Sequence, residues 1–301
     1  MNPQLNTLLT TLYVVLVDRV LPQLGYDRSH RPGRRPVLDD AELLCLAVAQ
    51  HLLCGTCPEA RWVRYAHQHL VGMFPHIPQQ SGYNKRIRTA GPLIAAVITA
   101  LATDTPSWHD ISRLLDSTPV PCAASRQTVK RSDLAGYAGY GYCASHSRYF
   151  WGFRLYLVST PEGMPVIWGL ADPTIGEREV ATVVLDHNRR LVCSGQVIVA
   201  DKGFSGKEFE GFVADELDAM LIRPDRRDET PRFGSLGGIR QWVESVFDSL
   251  KDQLGLEYHR ARKKDGVYAK VAAKLLALAA AIWHNWLIDA PDKRSLTAYD
   301  H

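Results

Sequence analysis

Between residues 110 and 255 the apolar pattern switches repeatedly between a period of two and a period of about 3.6, and few architectures accommodate that alternation. Leu114–Val120 is a short apolar strand candidate. Phe153–Ser159 alternates as a strand does, Pro161-Glu162-Gly163 makes a turn, and Met164–Leu170 is the returning strand of a hairpin. Glu177–Arg189 reads as helix, Gln196–Ala200 as a compact β-branched strand, Lys207–Leu217 as helix and Ala219–Arg223 as a short strand. A helix from about Arg240 to Leu254 follows a turn-rich charged segment, and a last one spans Val267–Leu287. Strand, hairpin, helix, strand, helix, strand, helix describes a mixed α/β layer in which helices pack on a central sheet. Residues 122–150 are polar and rich in Gly and Tyr, and read as an exposed loop region.

The first 105 residues have a different texture. Leu5–Leu21 carries apolar residues at helical spacing, Asp39 or Asp40 caps a helix running to about Leu53, and Pro58 opens another with Trp62, Tyr65 and Leu70 as core candidates. A further helix is interrupted at Gly91-Pro92. The expected organisation is therefore a helical domain over 1–105, an α/β domain over 106–290 and a tail over 291–301. The helical part fits a DNA-reading unit and a plain supporting domain equally well.

Composition excludes some classes. Hydrophobic residues make up 46% and charged residues 22%, which allows a sizeable core and argues against global disorder. Net charge is only +3, so any footprint on DNA has to be a local patch. Of six cysteines only Cys54 and Cys57 form a CxxC pair; no second pair completes a zinc site, and reduced thiols are expected. The N-terminus lacks a basic leader, and the apolar stretch 271–288 contains Lys274 and His284, too mixed for a membrane span. A cytoplasmic protein with no membrane partner is the expectation.

Three carboxylates stand out. Asp116 lies inside an apolar strand, and Asp201 directly follows VIVA, so both belong near the carboxyl ends of sheet strands, where ligands bind in open α/β sheets. Taken singly, each reads as readily as a strand-end Asp capping a turn. Glu244 lies on the helix RQWVESVFDSLKDQLG, whose apolar stripe is Val243, Phe247, Leu250 and Leu254; Arg240, Glu244 and Lys251 share another face. Held together, two strand-end aspartates and a helix glutamate make a hard-cation site. Two Mg²⁺ ions about 4 Å apart would activate an oxygen nucleophile and relieve charge on a leaving oxygen in phosphodiester chemistry.

These residues and their surroundings resemble the DDE transposases of bacterial insertion sequences. LLDSTPV is similar to the family's first-Asp strand, GYCASHSRYFWGFRLYLV and MPVIWGLADPTIGERE to its next two strands and the following loop, IVADKGFSG to its second-Asp motif, and RQWVESVFDSLKDQLGLEYHRAR to its Glu-bearing helix. Arg240, Glu244 and Lys251 fall on the Arg, Glu and Lys of a signature whose Tyr position is here Gly237. The resemblance covers roughly residues 106–290. It implies a ribonuclease-H-like fold and a catalytic set of Asp116, Asp201, Glu244, Lys251 and Arg240, with Asp116, Asp201 and Glu244 as ligands of two Mg²⁺ or Mn²⁺ ions. It also implies binding of double-stranded DNA at terminal inverted repeats and at a target, and a homodimer in the synaptic complex. Glu244 follows Asp201 by 43 positions, which leaves little room for a β-rich insertion.

Other candidates carry an ordinary reading beside the functional one. Arg260, Arg262, Lys263 and Lys264 fit phosphate contacts or a solvated surface. Arg31, Arg34 and Arg35 in the linker 29–36 fit a DNA backbone or minor groove, or a plain linker. Tyr137, Tyr140 and Tyr142, near Lys130, Arg131 and Arg148, fit stacking on unpaired bases or structural aromatics. His146 reads as an exposed loop residue, and Trp283 and Trp286 as core. The alternatives to a transposase are a nuclease that cuts without joining and a catalytically silent DNA-binding protein of the same descent.

Overall fold

The computed structural model describes residues 2–26, 37–143, 147–225, 229–230, 232 and 237–299, except the side chains of 237–240 and 243. The chain divides into two compact units, residues 1–101 with 249–301 and residues 102–248.

The first unit is helical. Helix α1 (Pro3–Val15) is capped by Asn2, whose side chain accepts from the Gln4 amide at 2.9 Å, and it buries the stripe Leu5, Leu8, Leu9 and Leu12. A π-helical turn (Leu16–Val20) and a short α2 (Leu21–Gln23) extend it. Helix α3 (Asp40–Cys54) starts in a capping box: the Asp39 carboxylate accepts from the Glu42 amide at 2.6 Å, and Glu42 accepts from the Asp39 amide at 2.7 Å. Pro58 precedes α4 (Glu59–His69), where Trp62 and Leu70 are buried and Tyr65 is half-buried. Helices α5 (Gln80–Thr89) and α6 (Gly91–Thr103) are separated at Ala90, the interruption expected before Pro92.

Cys54 and Cys57 are joined in a disulfide, which corrects the expectation of reduced thiols. The turn after α3 folds the Cys57 amide onto the Cys54 carbonyl, bringing the Cα atoms to 5.4 Å, a separation that a disulfide spans.

The second unit is built on a six-stranded mixed sheet. Strand β1 (Ser112–Ala123) is followed by α7 (Arg126–Lys130), β2 (Gly139–Cys143), β3 (Arg148–Ser159), β4 (Pro165–Ala171) and α8 (Glu177–His187). Then come β5 (Val197–Ala200), α9 (Lys207–Gly211) with a π-helical turn to Glu216, β6 (Met220–Ile222) and α10 (Gly237–Asp248). The strand order is β2-β3-β1-β5-β6, with β4 also pairing β3. The β1–β3, β2–β3 and β3–β4 pairs are antiparallel, and β1–β5 and β5–β6 are parallel. One face of the sheet packs on α8 and α9 through Leu115, Tyr156, Ile198 and Ala200 against Val180, Ala181, Leu185 and Phe209. This is the expected mixed sheet flanked by helices. The segment 122–150 differs from its reading as a loop, because it contains α7, β2 and the start of β3.

The chain then returns to the helical unit. A π-helical turn (Ser249–Gln253) leads to α11 (Lys264–Leu287), which packs on α1, α3 and α5. By length and composition Pro3–Gln23 and α11 are apolar enough to cross a bilayer, although Lys274 and His284 made the stretch 271–288 read as too mixed. Most of α11 is buried within its unit, where both polar groups find partners. Lys274 Nζ donates to the carbonyls of Gly55, at 2.8 Å, and Leu254, at 2.5 Å; His284 Nδ1 meets the Tyr299 hydroxyl at 2.8 Å. Trp283 is core as expected, while Trp286 is half-buried with the Lys293 ammonium 4.6 Å from its ring centre.

Burial, and secondarily the Lys270 charge, pushes the Lys274 ammonium down to about 7. The unfolded chain therefore holds a proton on this group between pH 7 and about 10 that the folded chain gives up, so stability rises with pH across that window. Chemical denaturation of the wild type should show this rise, and Lys274→Met should flatten it; a K274M slope equal to that of the wild type would contradict the assignment.

Candidate active site

Strands β1 and β5 run side by side in parallel from Ser112↔Val197 to Leu115↔Ala200. The next position on each strand is an aspartate, Asp116 on β1 and Asp201 directly beyond β5. Neighbouring strands lie about 4.8 Å apart, so the register sets these two residues side by side. Residues alternate across a strand. Leu115 and Ala200 face the α8 side of the sheet, so Asp116 and Asp201 take the opposite face. Their local fixation is alike: each carboxylate accepts from the amide of the following residue, Ser117 at 2.7 Å and Lys202 at 2.6 Å. Asp116 is half-buried and Asp201 exposed.

Helix α10 carries Glu244, which is exposed. The helix packs against β1, and none of its described residues belongs to the Leu115 core. The two aspartates thus share one face, and the glutamate-bearing helix packs on the strand that carries Asp116. Among the described residues, no group of three or more His, Cys, Asp or Glu is gathered closely enough to hold a metal ion. The aspartates are brought together by the sheet register; Glu244 lies on the helix that packs against β1.

The remaining candidates are more dispersed. Arg240 lies on α10 with its side chain outside the described residues. Lys251 lies in the π-helical turn after α10, so the regular spacing that puts it on one face with Arg240 and Glu244 is broken by the wider turn. Lys130 and Arg131 are exposed at the end of α7. Arg260, Arg262, Lys263 and Lys264 are exposed in the helical unit, ahead of or at the first residue of α11. Arg260 and Arg262 line a cavity of about 300 Å³ in that unit with Lys270, Lys274, His51 and Glu59. Arg31, Arg34, Arg35 and His146 lie outside the described residues.

Sequence reasoning missed the group that fixes the backbone next to Asp116. Ser117 donates to Glu177 at 3.1 Å from the first turn of α8, and Arg154 on β3 pairs with the same carboxylate. These side chains lie on the α8 face, so β1 is tied down directly behind Asp116. The acidic-basic run Glu177-Arg178-Glu179 was the available signal, but nothing in the spacing connects it to residues 117 and 154.

A family model described as "Transposase DDE domain" matches residues 108–280. The chain belongs to this family. The match begins just before β1 and ends within α11, so it includes Asp116, Asp201 and Glu244 and reaches into both compact units. Membership makes this a DDE transposase by descent, in a class of DNA-acting, metal-assisted enzymes, and the mixed sheet with its flanking helices is the ribonuclease-H-like core of that class. No curated protein matches the chain.

The register can be checked chemically. In the double variant Asp116→Cys/Asp201→Cys the two thiols should form a disulfide under mild oxidation, because the Cα separation falls within the bridging range. Peptide mapping that recovers 116 and 201 only as separate alkylated cysteines would contradict the pairing.

Proposed function

We propose that this chain is the transposase of an insertion sequence, which binds terminal inverted repeats and catalyses two-metal-ion strand cleavage and strand transfer. The observation that supports the reading is the side-by-side placement of Asp116 and Asp201 beyond the parallel β1–β5 pair, with the Glu244-bearing helix packed against β1. An all-carboxylate donor set suits Mg²⁺ or Mn²⁺ and disfavours softer ions. A pair of such ions would be held by Asp116 and Asp201 with Glu244 as the third ligand. When bound, such ions lower the pKa of an attacking water or hydroxyl and offset charge on the leaving oxygen. Arg240 and Lys251 complete the proposed catalytic set as binders of phosphate oxygens.

The proposal extends to the partners. The helical unit contributes to DNA binding with Arg31, Arg34 and Arg35 and with Arg260, Arg262, Lys263 and Lys264; the unit built on the sheet is catalytic, with Lys130 and Arg131 on the double-stranded DNA backbone. A homodimer brings the two element ends together, in the cytoplasm.

Incubation with a labelled terminal-repeat duplex and Mg²⁺ tests the chemistry. Asp116→Asn, Asp201→Asn and Glu244→Gln should each abolish strand cleavage while retaining DNA affinity within a few-fold. Cleavage by all three variants would sink the assignment. Cleavage without any joined product points instead to a nuclease, and binding without cleavage by the wild type to a silent descendant. Charge reversal at Arg262 or Lys264 should weaken DNA binding and lower the slope of log affinity against log salt by roughly one for each phosphate no longer neutralised; an unchanged slope removes these residues from the footprint.

A further inference from the structure

Strand β2 reads Gly139-Tyr140-Gly141-Tyr142-Cys143, and its two sides have different surroundings. A Cβ on Gly139 would collide with the Asp172 carboxylate, and one on Gly141 with Phe150 and Pro173, so that side is covered. Cys143, on the same side, is buried. Tyr140 and Tyr142 are turned the other way and are 55% and 46% exposed. The register puts Tyr149 of β3 directly opposite Tyr142, with ring centres 5.0 Å apart, and Tyr149 is 79% exposed.

The same register fixes which face of the sheet this is. Residues 149, 151, 153, 155 and 157 share one side of β3. Leu157 lies directly opposite Asp116. The three exposed tyrosines therefore stand on the Asp116 face, at the edge of the sheet formed by β2. The stretch of chain that carries them is basic: residues 123–151 hold Arg126, Lys130, Arg131 and Arg148 against the single acid Asp133, although Arg148, paired with Cys143, falls on the covered side. Three adjacent exposed aromatics in a basic stretch of chain, on the face that bears Asp116, offer what a single nucleic-acid strand needs, namely flat surfaces for its bases with positive charge nearby in the chain for its phosphates.

We propose that Tyr140, Tyr142 and Tyr149 form a stacking platform for unpaired bases of the DNA whose phosphodiester is handled at Asp116 and Asp201. This rests on the reading of the aspartate pair as the site of DNA chemistry. The platform starts six residues along β3 from Leu157 and ends eight residues from it, a reach of about 20–26 Å. That corresponds to roughly six to eight base-pair steps of duplex. The bases it holds thus lie away from the reacting phosphate, and the platform grips the strand instead of touching the reacting atoms.

The test titrates the full chain with a fluorescently labelled oligo-dT strand and with a duplex of equal length. Tyr142→Ala and Tyr149→Ala should each weaken single-strand binding by roughly 5- to 150-fold and change duplex binding much less. Tyr142→Phe and Tyr149→Phe should bind as the wild type does, since stacking uses the ring and not the hydroxyl. On the unaltered protein, a 2-aminopurine within the oligo-dT should show a change in fluorescence on binding, a readout independent of any variant's folding. Asp116→Asn should bind the single strand normally, so a failure of the active-site reading in cleavage assays remains distinguishable from a failure of the platform. Full single-strand affinity in the alanine variants, or phenylalanine variants as weak as the alanine ones, would overturn the proposal. So would an unchanged 2-aminopurine signal, or loss of self-association as the only effect of the alanine variants, which would assign the patch to a second copy of this chain.

Discussion

The four-residue parallel pairing of β1 with β5 is the constraint on which the candidate site depends. It is short, running from Ser112↔Val197 to Leu115↔Ala200, and both strands reach an aspartate at the next step. Parallel strands are buried on both faces as a rule, and here the Leu115 side is sealed by α8 and α9. The seal fixes the register, because a slip of one residue would drive Asp116 into the apolar core and expose Leu115. The same packing that stabilises the sheet therefore determines that the two carboxylates emerge together on the other side. Ser117, Glu177 and Arg154 reinforce β1 at that step.

The parts of this arrangement that were legible in the sequence are those with a local cause. VIVA followed by Asp201 announces a strand end because β-branched residues favour the pleated chain and the carboxylate caps the turn that follows. Asp39 and Glu42 announce a helix start because the capping box is made within four residues. The length of β1 was not legible, since Pro119 and Pro121 argue for a strand end. Both lie past the last pairing with β5, on a stretch where, among the described residues, β1 has its ladder with β3 alone, so a missing amide is tolerated there. Strand β2 was illegible for a different reason. Its alternation is of Gly and Tyr, not of apolar and polar residues, and it makes sense only once Asp172, Phe150 and Pro173 are seen to cover the glycine side.

The organisation into units was the least local feature. Helix α11 follows the α/β segment in the chain but packs on α1, α3 and α5. Its composition is apolar nearly all round, and such a helix has no single face to reveal what it will pack against. The disulfide between Cys54 and Cys57 likewise depends on a turn geometry that spacing alone leaves open. The face shared by Arg240, Glu244 and Lys251 assumes an unbroken α-helix, and the π-helical turn at Ser249–Gln253 changes that spacing for Lys251 while leaving Glu244 on the regular part.

The central claim is that Asp116 and Asp201 act as one cation site to which α10 adds Glu244. Titration of Mn²⁺ into the DNA-free full chain, with the free ion counted by electron paramagnetic resonance, measures this most directly. Saturable binding in the wild type that is lost in both Asp116→Asn and Asp201→Asn, and weakened in Glu244→Gln, is the expected result. Mn²⁺ binding of equal strength in the wild type and in the doubly substituted Asp116→Asn/Asp201→Asn chain would contradict it.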